Sequence, residues 1–533
     1  MKGNATVQQG DRAPLARFVC LAGRLTTRQL LVLFSVGLLF AMALEKAGDP
    51  DLFWHLKTGQ WMLAHRAVPR TGLWSWAGEN LPWTTHEWLF QVVVAALFSL
   101  AGWGGVILLK AALIAAAFAV VLDHARQRSG SVGSPALLAL ISGILTIPFW
   151  SERPQLVTYA FTAWLLRLLW EWDTGRRRHL WGVPPLVLLW ANFHGAYFLA
   201  LVLLATYFAA ELLKRFWQCE NGCGGSRPRH LAAVAGASVA LAAVNPHGVG
   251  ILLYPFQYIG FTSLTHFVAE WFPPNFQQWP MRLFALFILA VVGTLAASPN
   301  RPRPADLLLV LLLIGMSLLA VRNVPLALIG LTPILAEHLR ALARRATLPP
   351  AESHSVGGAA IALNWTLLLL LLGLCIARLP IGKPTEVLLN TEKQPVAAVA
   401  WVKSRPLPGR MCNFYDWGGY LIWELSPRYQ VFVDGRTDVY GQELMAEYHK
   451  LWQLKPGWRQ VLDQYQIDWV FWKAQAPLTE ALALCPGWRQ VYRDDLAVIF
   501  VRQNSLHPTA AGRDASPTER GEEPMVPIGG GEP

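Results

Sequence analysis

The side chains able to do chemistry in this chain are few, and they cluster at the ends of apolar runs. Asp49-Pro50-Asp51-Leu52-Phe53-Trp54-His55-Leu56 follows the first such run, and Trp83-Thr84-Thr85-His86-Glu87-Trp88 precedes the next. Trp61, Trp74 and Trp76 lie between them, so carboxylates and imidazoles are held among indoles, which favour the membrane–water boundary. Carboxylates beside hydrocarbon are costly to keep ionised without partners, which makes Asp49, Asp51 and Glu87 candidates for proton transfer. Asp49-Pro50 has a structural reading as well: Asp is a good N-cap, Pro suits the first helical position, and Leu52, Phe53, Leu56 and Leu63 form one stripe of an interfacial helix. The two readings are compatible, because a helix N-terminus offers amides and a positive dipole end to a bound phosphate. Glu87 also suits a helix start, while His86 beside it makes a proton-handling or phosphate-contacting pair.

Other polar residues fall at corresponding positions. Arg153-Pro154 and Arg322-Asn323 each put a guanidinium at the end of an apolar run, where it either snorkels or binds an anion. Asn192-Phe193-His194-Gly195 sets two polar side chains between two helices, pointing to a cavity. Near the C-terminus, Asp434-Gly435-Arg436-Thr437-Asp438-Val439-Tyr440 reads either as turn chemistry with an ion pair or as a strand end that holds a polar ligand. No phosphate-binding Gly-Lys-Ser/Thr loop, dinucleotide fingerprint, His-Glu-x-x-His or Gly-x-Ser-x-Gly element is present, which disfavours soluble nucleotide chemistry.

The elements that must position these residues are membrane helices. Of 533 residues, 54% are hydrophobic and 15% charged, too apolar for a soluble protein of this length. Apolar runs recur near 29–44, 87–101, 103–122, 135–150, 156–170, 180–193, 196–213, 231–244, 282–297, 306–321, 323–337 and 359–379. The net charge of +11 comes from Lys and Arg between those runs, a topology signal rather than a nucleic-acid footprint. Arg176-Arg177-Arg178, Lys214 to Arg229, Arg301-Pro302-Arg303 and Arg340 to Arg345 are expected on the cytoplasmic side. The Asp49 loop, the His194 turn, the segment from Asn245 to Pro274 and Arg322 then face outward. The basic stretch from His124 to Arg128 belongs inside, so 87–101 should lie in the interface or re-enter while 103–122 crosses. That gives about eleven crossings, with twelve or thirteen as alternatives. Six scattered cysteines indicate neither a disulfide framework nor a four-ligand zinc site, and Cys219-x-x-x-Cys223 with His230 is a weak metal signal.

The expected fold is therefore mainly α: a cytoplasmic segment 1–28, a polytopic helical bundle over 29–379 with first outer loop 49–88, a small extracytoplasmic α/β domain over 380–504, and a tail over 505–533 whose composition reads as disordered. Strands are expected at Val431-Phe432-Val433, Trp469 to Trp472 and Ala497 to Val501, and helices near 394–403, 441–454, 456–465 and 477–484. Gly-Trp-Arg-Gln-Val occurs at 457–461 and again at 487–491, read as coincidence because one copy leads into a helix and the other into a strand.

An acidic pair after the first helix, a long aromatic first outer loop, many further helices and a C-terminal outer domain resemble the GT-C class of membrane glycosyltransferases, relatives of oligosaccharyltransferase and protein mannosyltransferases. More narrowly, Asp51-Leu-Phe-Trp-His55-Leu, Pro82-Trp-x-x-His86-Glu87-Trp88, Asn245-Pro246-x-Gly248, Glu270-Trp271 and Asp434-Gly435-Arg436-x-Asp438-x-Tyr440 look like a group of bacterial multi-pass proteins placed near that class. The Trp-Trp-Asp motif of oligosaccharyltransferases is absent. The resemblance implies a lipid-linked sugar donor on polyprenyl phosphate, an inner-membrane location and contact with membrane lipid, and no nucleic-acid partner. It implies Asp49 or Asp51 as general base with Glu87 second, and His55, His86, Arg153, His194, Glu270, Arg322, Asp434 and Arg436 around the substrate. A divalent metal ion at the leaving phosphate is compatible with it, and no cofactor is required by it. Sugar, acceptor and oligomeric state stay open, as do a transporter, an envelope-assembly scaffold or a lipid-linked glycan polymerase or ligase.

Overall fold

A computed structural model describes residues 26–217, 226–257, 268–345 and 358–503. The N-terminal basic residues Lys2 to Arg24, Cys20, the Cys219–Cys223 pair and the tail beyond Asn504 lie outside the described residues. The helices of the bundle are α1 (Thr27–Ala43), α2 (Pro50–His65), α3 (Trp88–Ser129), α4 (Gly133–Leu145), α5 (Gln155–Asp173), α6 (Val183–Phe193), α7 (Phe198–Trp217), α8 (Ser226–Ala242), α9 (Trp279–Ala297), α10 (Pro304–Leu319), α11 (Val324–Arg345) and α12 (Gly358–Arg378). Among the described residues five apolar helices have the length and composition to cross a membrane, the longest being α3.

α3 contains the two apolar runs whose crossing number was in question. Ala101 (φ −140°, ψ 15°) and Gly102 (φ 56°, ψ −150°) leave the helical region, the second at an angle that glycine adopts without strain. A Cβ on Gly105 would lie 2.6 Å from the Leu97 carbonyl oxygen, whereas eight residues of straight helix span about 12 Å. The chain therefore folds back on itself at Gly102. The half before it lies along α2, where a Cβ on Gly59 would meet the Gln91 carbonyl oxygen at 2.0 Å. Phe98 and Trp103 both pack on Trp423 of the C-terminal domain. The half from Trp103 carries on into the bundle, and beside the five long apolar helices the described residues hold four shorter ones, α1, α4, α6 and α10.

The C-terminal domain carries a four-stranded sheet, order β1-β2-β4-β3, with β1 (Arg410–Asn413) parallel to β2 (Ile467–Lys473), and β4 (Ala497–Arg502) antiparallel to both β2 and β3 (Trp488–Arg493). Around it lie α13 (Val396–Ser404), α14 (Gly418–Leu425), α15 (Thr437–Trp452), α16 (Trp458–Gln464) and α17 (Pro477–Ala483). Val431-Phe432-Val433, expected as a strand of this sheet, instead forms a single bridge from Val431 to Ser75 of the first outer loop. Those three apolar residues are fully buried because they form the seam between loop and domain: Trp76 N donates to the Val431 carbonyl, Val431 N to the Trp74 carbonyl, and the Ser75 hydroxyl to the Phe432 carbonyl. The two copies of Gly-Trp-Arg-Gln-Val take different structures, one opening α16 and one entering β3.

Candidate functional site

Asp49 caps α2, its Oδ1 accepting from Asp51 N at 2.9 Å, with Pro50 at the first helical position. The buried stripe of α2 is Leu52, Phe53, Leu56 and Met62; Leu63, expected in it, is 45% exposed. The start of the loop is held by two residues that the sequence reading did not single out. Lys110 and Glu152 form a buried ion pair at 2.5 Å. Lys110 Nζ also donates to the Glu45 carbonyl, and Glu152 Oε2 accepts from the amides of Gly48 and Asp49. A lysine in the middle of an apolar helix was the available signal, since such a group keeps its charge only with a partner. The pair also fixes the backbone next to Arg153.

Arg153 is the hub of the site. Its Nη2 lies 3.3 Å from Asp51 Oδ2, and its Nη1 lies 2.5 Å from Glu270 Oε1. Asp51 Oδ1 accepts from Trp54 Nε1 at 3.1 Å. These three side chains are partly open to solvent, at 18% for Asp51, 24% for Arg153 and 34% for Glu270, so an incoming group can reach them. Arg322 stands beyond Glu270, stacked over the Trp271 indole at 4.7 Å. Burial raises the Glu270 carboxyl, but Arg153 and Arg322 outweigh it and the net shift is downward. Burial also raises Asp51, opposed by Arg153. It pushes Asp49 up to about 7, again against Arg153 and with Asp51 and Glu152 adding to the rise.

A second group adjoins the first. Glu87 Oε1 lies 2.8 Å from His86 Nε2, and Glu87 Oε2 lies 3.2 Å from His55 Nδ1. The second contact is close enough for an ion pair but lacks hydrogen-bond geometry, so Oε2 has no hydrogen-bond partner. Burial favours the neutral carboxyl of Glu87, yet His86 beside it prevails and holds it well below the usual carboxylate range. For His86, burial is outweighed by Glu87 and the net shift is upward. With its other nitrogen 3.2 Å from the Thr84 carbonyl oxygen, His86 fits an imidazolium. His55 is pushed down to about 4 and His194 to about 3, both by burial, so these two stay neutral. His194 Nδ1 is 2.7 Å from Thr158 Oγ1, which also accepts from Trp190 Nε1. Gly195 allows this turn to approach, since a Cβ there would meet His86 Cδ2 at 2.9 Å and the Tyr254 ring at 2.8 Å.

Asp434 and Arg436, expected near substrate, are placed otherwise. Their side chains are fully buried and bonded to each other through Arg436 Nε and Nη2. Asp434 Oδ2 also accepts from the Tyr440 hydroxyl, and Arg436 Nη2 donates to the Leu73 carbonyl under the rings of Trp54, Trp74 and Trp83. The pair helps to clamp the C-terminal domain onto the outer loop, while Arg436 Nη1 is buried without a hydrogen-bond partner. The residue between them does reach the site: a Cβ on Gly435 would fall 1.8 Å from Asp51 Oδ1, so only glycine lets this turn abut the Asp51 carboxylate. Asp438 of the same motif has a buried Oδ2 with no hydrogen-bond partner and is pushed up to about 6 by burial, against the opposing charge of His86. Its place near His86 and Glu87 is not legible in the motif, which lies about 350 residues away in sequence.

The structure thus gathers Asp49, Asp51, Glu87, His55, His86, Arg153, His194, Glu270 and Arg322 at one end of the bundle. Among the described residues no group of three or more His, Cys, Asp or Glu side chains is arranged to hold a metal ion. Asp51 and Glu270, the open carboxylates, are both turned to Arg153.

No protein-family model matches the chain, and no curated protein sequence does. Solved structures do match it in fold. The archaeal oligosaccharyltransferase AglB from Archaeoglobus fulgidus, in complex with an inhibitory peptide and a dolichol-phosphate, superposes with a TM-score of 0.55 at 11% identity, over 90% of this chain and 74% of that one. The A. fulgidus enzyme tethered to an acceptor peptide superposes with a TM-score of 0.53 at 12% identity and the same coverage. The fold is that of the GT-C class, a polytopic helical bundle with a C-terminal domain.

Proposed function

We propose that this protein is a membrane glycosyltransferase that moves a sugar from a polyprenyl-phosphate carrier to an envelope acceptor at the outer face of the inner membrane. The observation that carries the reading is the Asp51–Arg153 contact at 3.3 Å, partly open to solvent, within a fold shared with an oligosaccharyltransferase. A general base and a cation for the leaving phosphate are the two groups such a transfer needs, a few ångströms apart. Asp51 takes the proton of the acceptor's nucleophilic group as that group attacks the anomeric carbon. The bond from that carbon to the phosphate oxygen breaks, and the polyprenyl phosphate departs with the electron pair, its charge met by Arg153 and Arg322. Glu270 now occupies the face of Arg153 that the phosphate would take, so donor binding displaces a carboxylate that is one-third exposed. Asp49 is bound to the Asp51 amide as a cap and positions the base. His86 and Glu87 hold a compensated charge pair beside it.

Orientation follows from the basic loops. Arg176 to Arg178 and Arg340 to Arg345 lie at the end of the bundle opposite Asp51, which supports an outer position for Asp51 and the C-terminal domain under the positive-inside bias. The test uses purified protein and a panel of polyprenyl-phosphate sugars. Asp51→Asn should retain saturable donor binding and lose transfer, whereas Arg153→Gln should weaken donor binding. Absence of saturable binding of any such donor by the unaltered protein would defeat the proposal.

A further inference from the structure

At the inner end of the bundle, far from Asp51, three helices and one turn enclose a cavity of about 350 Å³. It is lined by Arg28 of α1, Asp123, Arg126 and Gln127 of α3, Arg340 of α11, and the turn from Gly130 to Gly133 that leads into α4. On a liquid-water volume of about 30 Å³ per molecule, it holds roughly ten waters, room for a phosphate group with part of its substituent. We infer that this cavity is a second anion site, built for a phosphate-bearing ligand at the inner membrane surface and independent of the transfer centre.

The charge balance supports this. Three guanidinium groups face the cavity against one carboxylate, and that carboxylate is already engaged: Asp123 Oδ2 accepts from Gln127 Nε2 at 2.9 Å and pairs with Arg167, while its Oδ1 is 3.8 Å from Arg126. The ordinary explanation for arginines at the inner ends of helices is snorkelling to water or complementing a helix C-terminus. Snorkelling would hydrate the whole guanidinium, yet the Nε atoms of Arg126 and Arg340 are buried and have no hydrogen-bond partner. Those Nε atoms are closed to the cavity as well as to water; what faces it is the outer part of each guanidinium, and of the three only Arg126 has a described ion pair, at 3.8 Å from Asp123, so a ligand there can supply the acceptors. The turn adds backbone donors. Gly130 has φ +64°, Val132 precedes the first turn of α4 without any side-chain cap, and the uncapped amides of a 13-residue helix favour an anion. Arginine forks recognise phosphate oxygens in a bidentate manner, which suits this site better than carboxylates or halides.

A phosphate group at this position can belong to an anionic phospholipid headgroup or to a soluble phosphate ester, and the experiment separates the two. The full chain is reconstituted in phosphatidylcholine nanodiscs with and without phosphatidylglycerol, and retained lipid is counted by native mass spectrometry. In parallel, inorganic phosphate is titrated against thermal stability in detergent. Arg340 makes no described ion pair, so Arg340→Gln removes a ligand without opening a contact, and Arg28→Gln, at an exposed helix start, is the second variant. One lost charge-assisted bond should weaken binding roughly ten- to a hundredfold. Loss of retained phosphatidylglycerol in both variants assigns the headgroup, and loss of a phosphate-induced rise in melting temperature assigns a soluble phosphate. If the unaltered protein shows neither effect, or both variants match it in both assays, the site does not exist.

Discussion

The two ends of the helical bundle both carry charge clusters, and they are built differently. At the inner end the carboxylates among the described residues are matched: Arg128 Nη2 lies 2.8 Å from Asp306 and 2.7 Å from Glu337, Arg303 bridges the same two, and Lys214 pairs with Asp173 and with Glu211, itself 3.5 Å from Arg227. At the outer end Asp51 and Glu270 share Arg153, with Arg322 beyond Glu270 and Asp49 beside them, and Glu87 and Asp438 each keep a buried oxygen without a hydrogen bond. A network that only ties helices together has no reason to leave charges unbalanced, because uncompensated buried charge destabilises the fold. The outer imbalance marks a place where a substrate completes the arrangement. The Arg28–Arg126–Arg340 cavity is the exception at the inner end, and it departs from balance in the opposite sense.

The largest expected effect that sharpens this contrast is kinetic. Asp51→Asn should lower transfer by about 10²–10⁴-fold, the range associated with one general base, while changing unfolding stability by less than about 1 kcal/mol because the Arg153–Glu270 pair remains. A matching loss of stability and activity would instead make Asp51 a structural charge like those at the inner end. The converse variant is Arg128→Met. It leaves Asp306 and Glu337 to Arg303 alone and should destabilise by about 3 kcal/mol, measured by chemical unfolding in detergent, with transfer per folded molecule unchanged.

The clamp between loop and domain gives a third test. Arg436→Met strands the fully buried Asp434 carboxylate and should reduce stability by about 3–5 kcal/mol. Limited proteolysis should then release the C-terminal domain near 380–395 before the bundle is cut. Equal protease resistance in variant and unaltered protein would mean that the seam at Val431 and Trp76 holds the domain unaided.

Much of this was legible in the sequence, and the failures are local. The apolar runs located the bundle helices, with ends off by up to eight residues where 323–337 became Val324–Arg345, and the two runs 87–101 and 103–122 meet at the break beside Gly102 in α3. Asp49 as a cap, and Arg153, His194 and Arg322 at one end with the outer loop, were readable because helix-end chemistry is local. What was hidden depended on packing between distant segments. Val431-Phe432-Val433 has a strand's composition, yet it pairs with a loop more than 350 residues earlier. Asp434 and Arg436 resemble ligand-binding residues until the three indoles of the outer loop close over them. Lys110 and Glu152 each lie at the edge of notice, and only the fold shows that they face one another.

The smallest expected effect concerns Asp49, and it separates a positioning cap from a base within the outer cluster. Asn caps a helix about as well as Asp, so Asp49→Asn keeps the bond to the Asp51 amide and removes only the charge. In the folded protein the Asp49 carboxyl is pushed up to about 7 from an ordinary value of 3.8, first by burial. Between those values the folded state holds a proton that the unfolded state has released, so unfolding stability falls as pH rises. The contribution of the protonated carboxyl is fully present below about pH 4 and is lost progressively up to about pH 7. Asp49→Asn cannot lose it. The variant and the unaltered protein should therefore melt together near pH 4, the variant should become the more stable of the two as pH approaches 7, and the gap should level off above that. Since all other titrating groups are common to both proteins, the difference isolates Asp49. A gap that stays constant from pH 4 to 8 would show that the carboxyl is hydrated and unstrained. Transfer activity read in the same series gives the second arm: retention by Asp49→Asn, against loss in Asp51→Asn, assigns the proton transfer to Asp51.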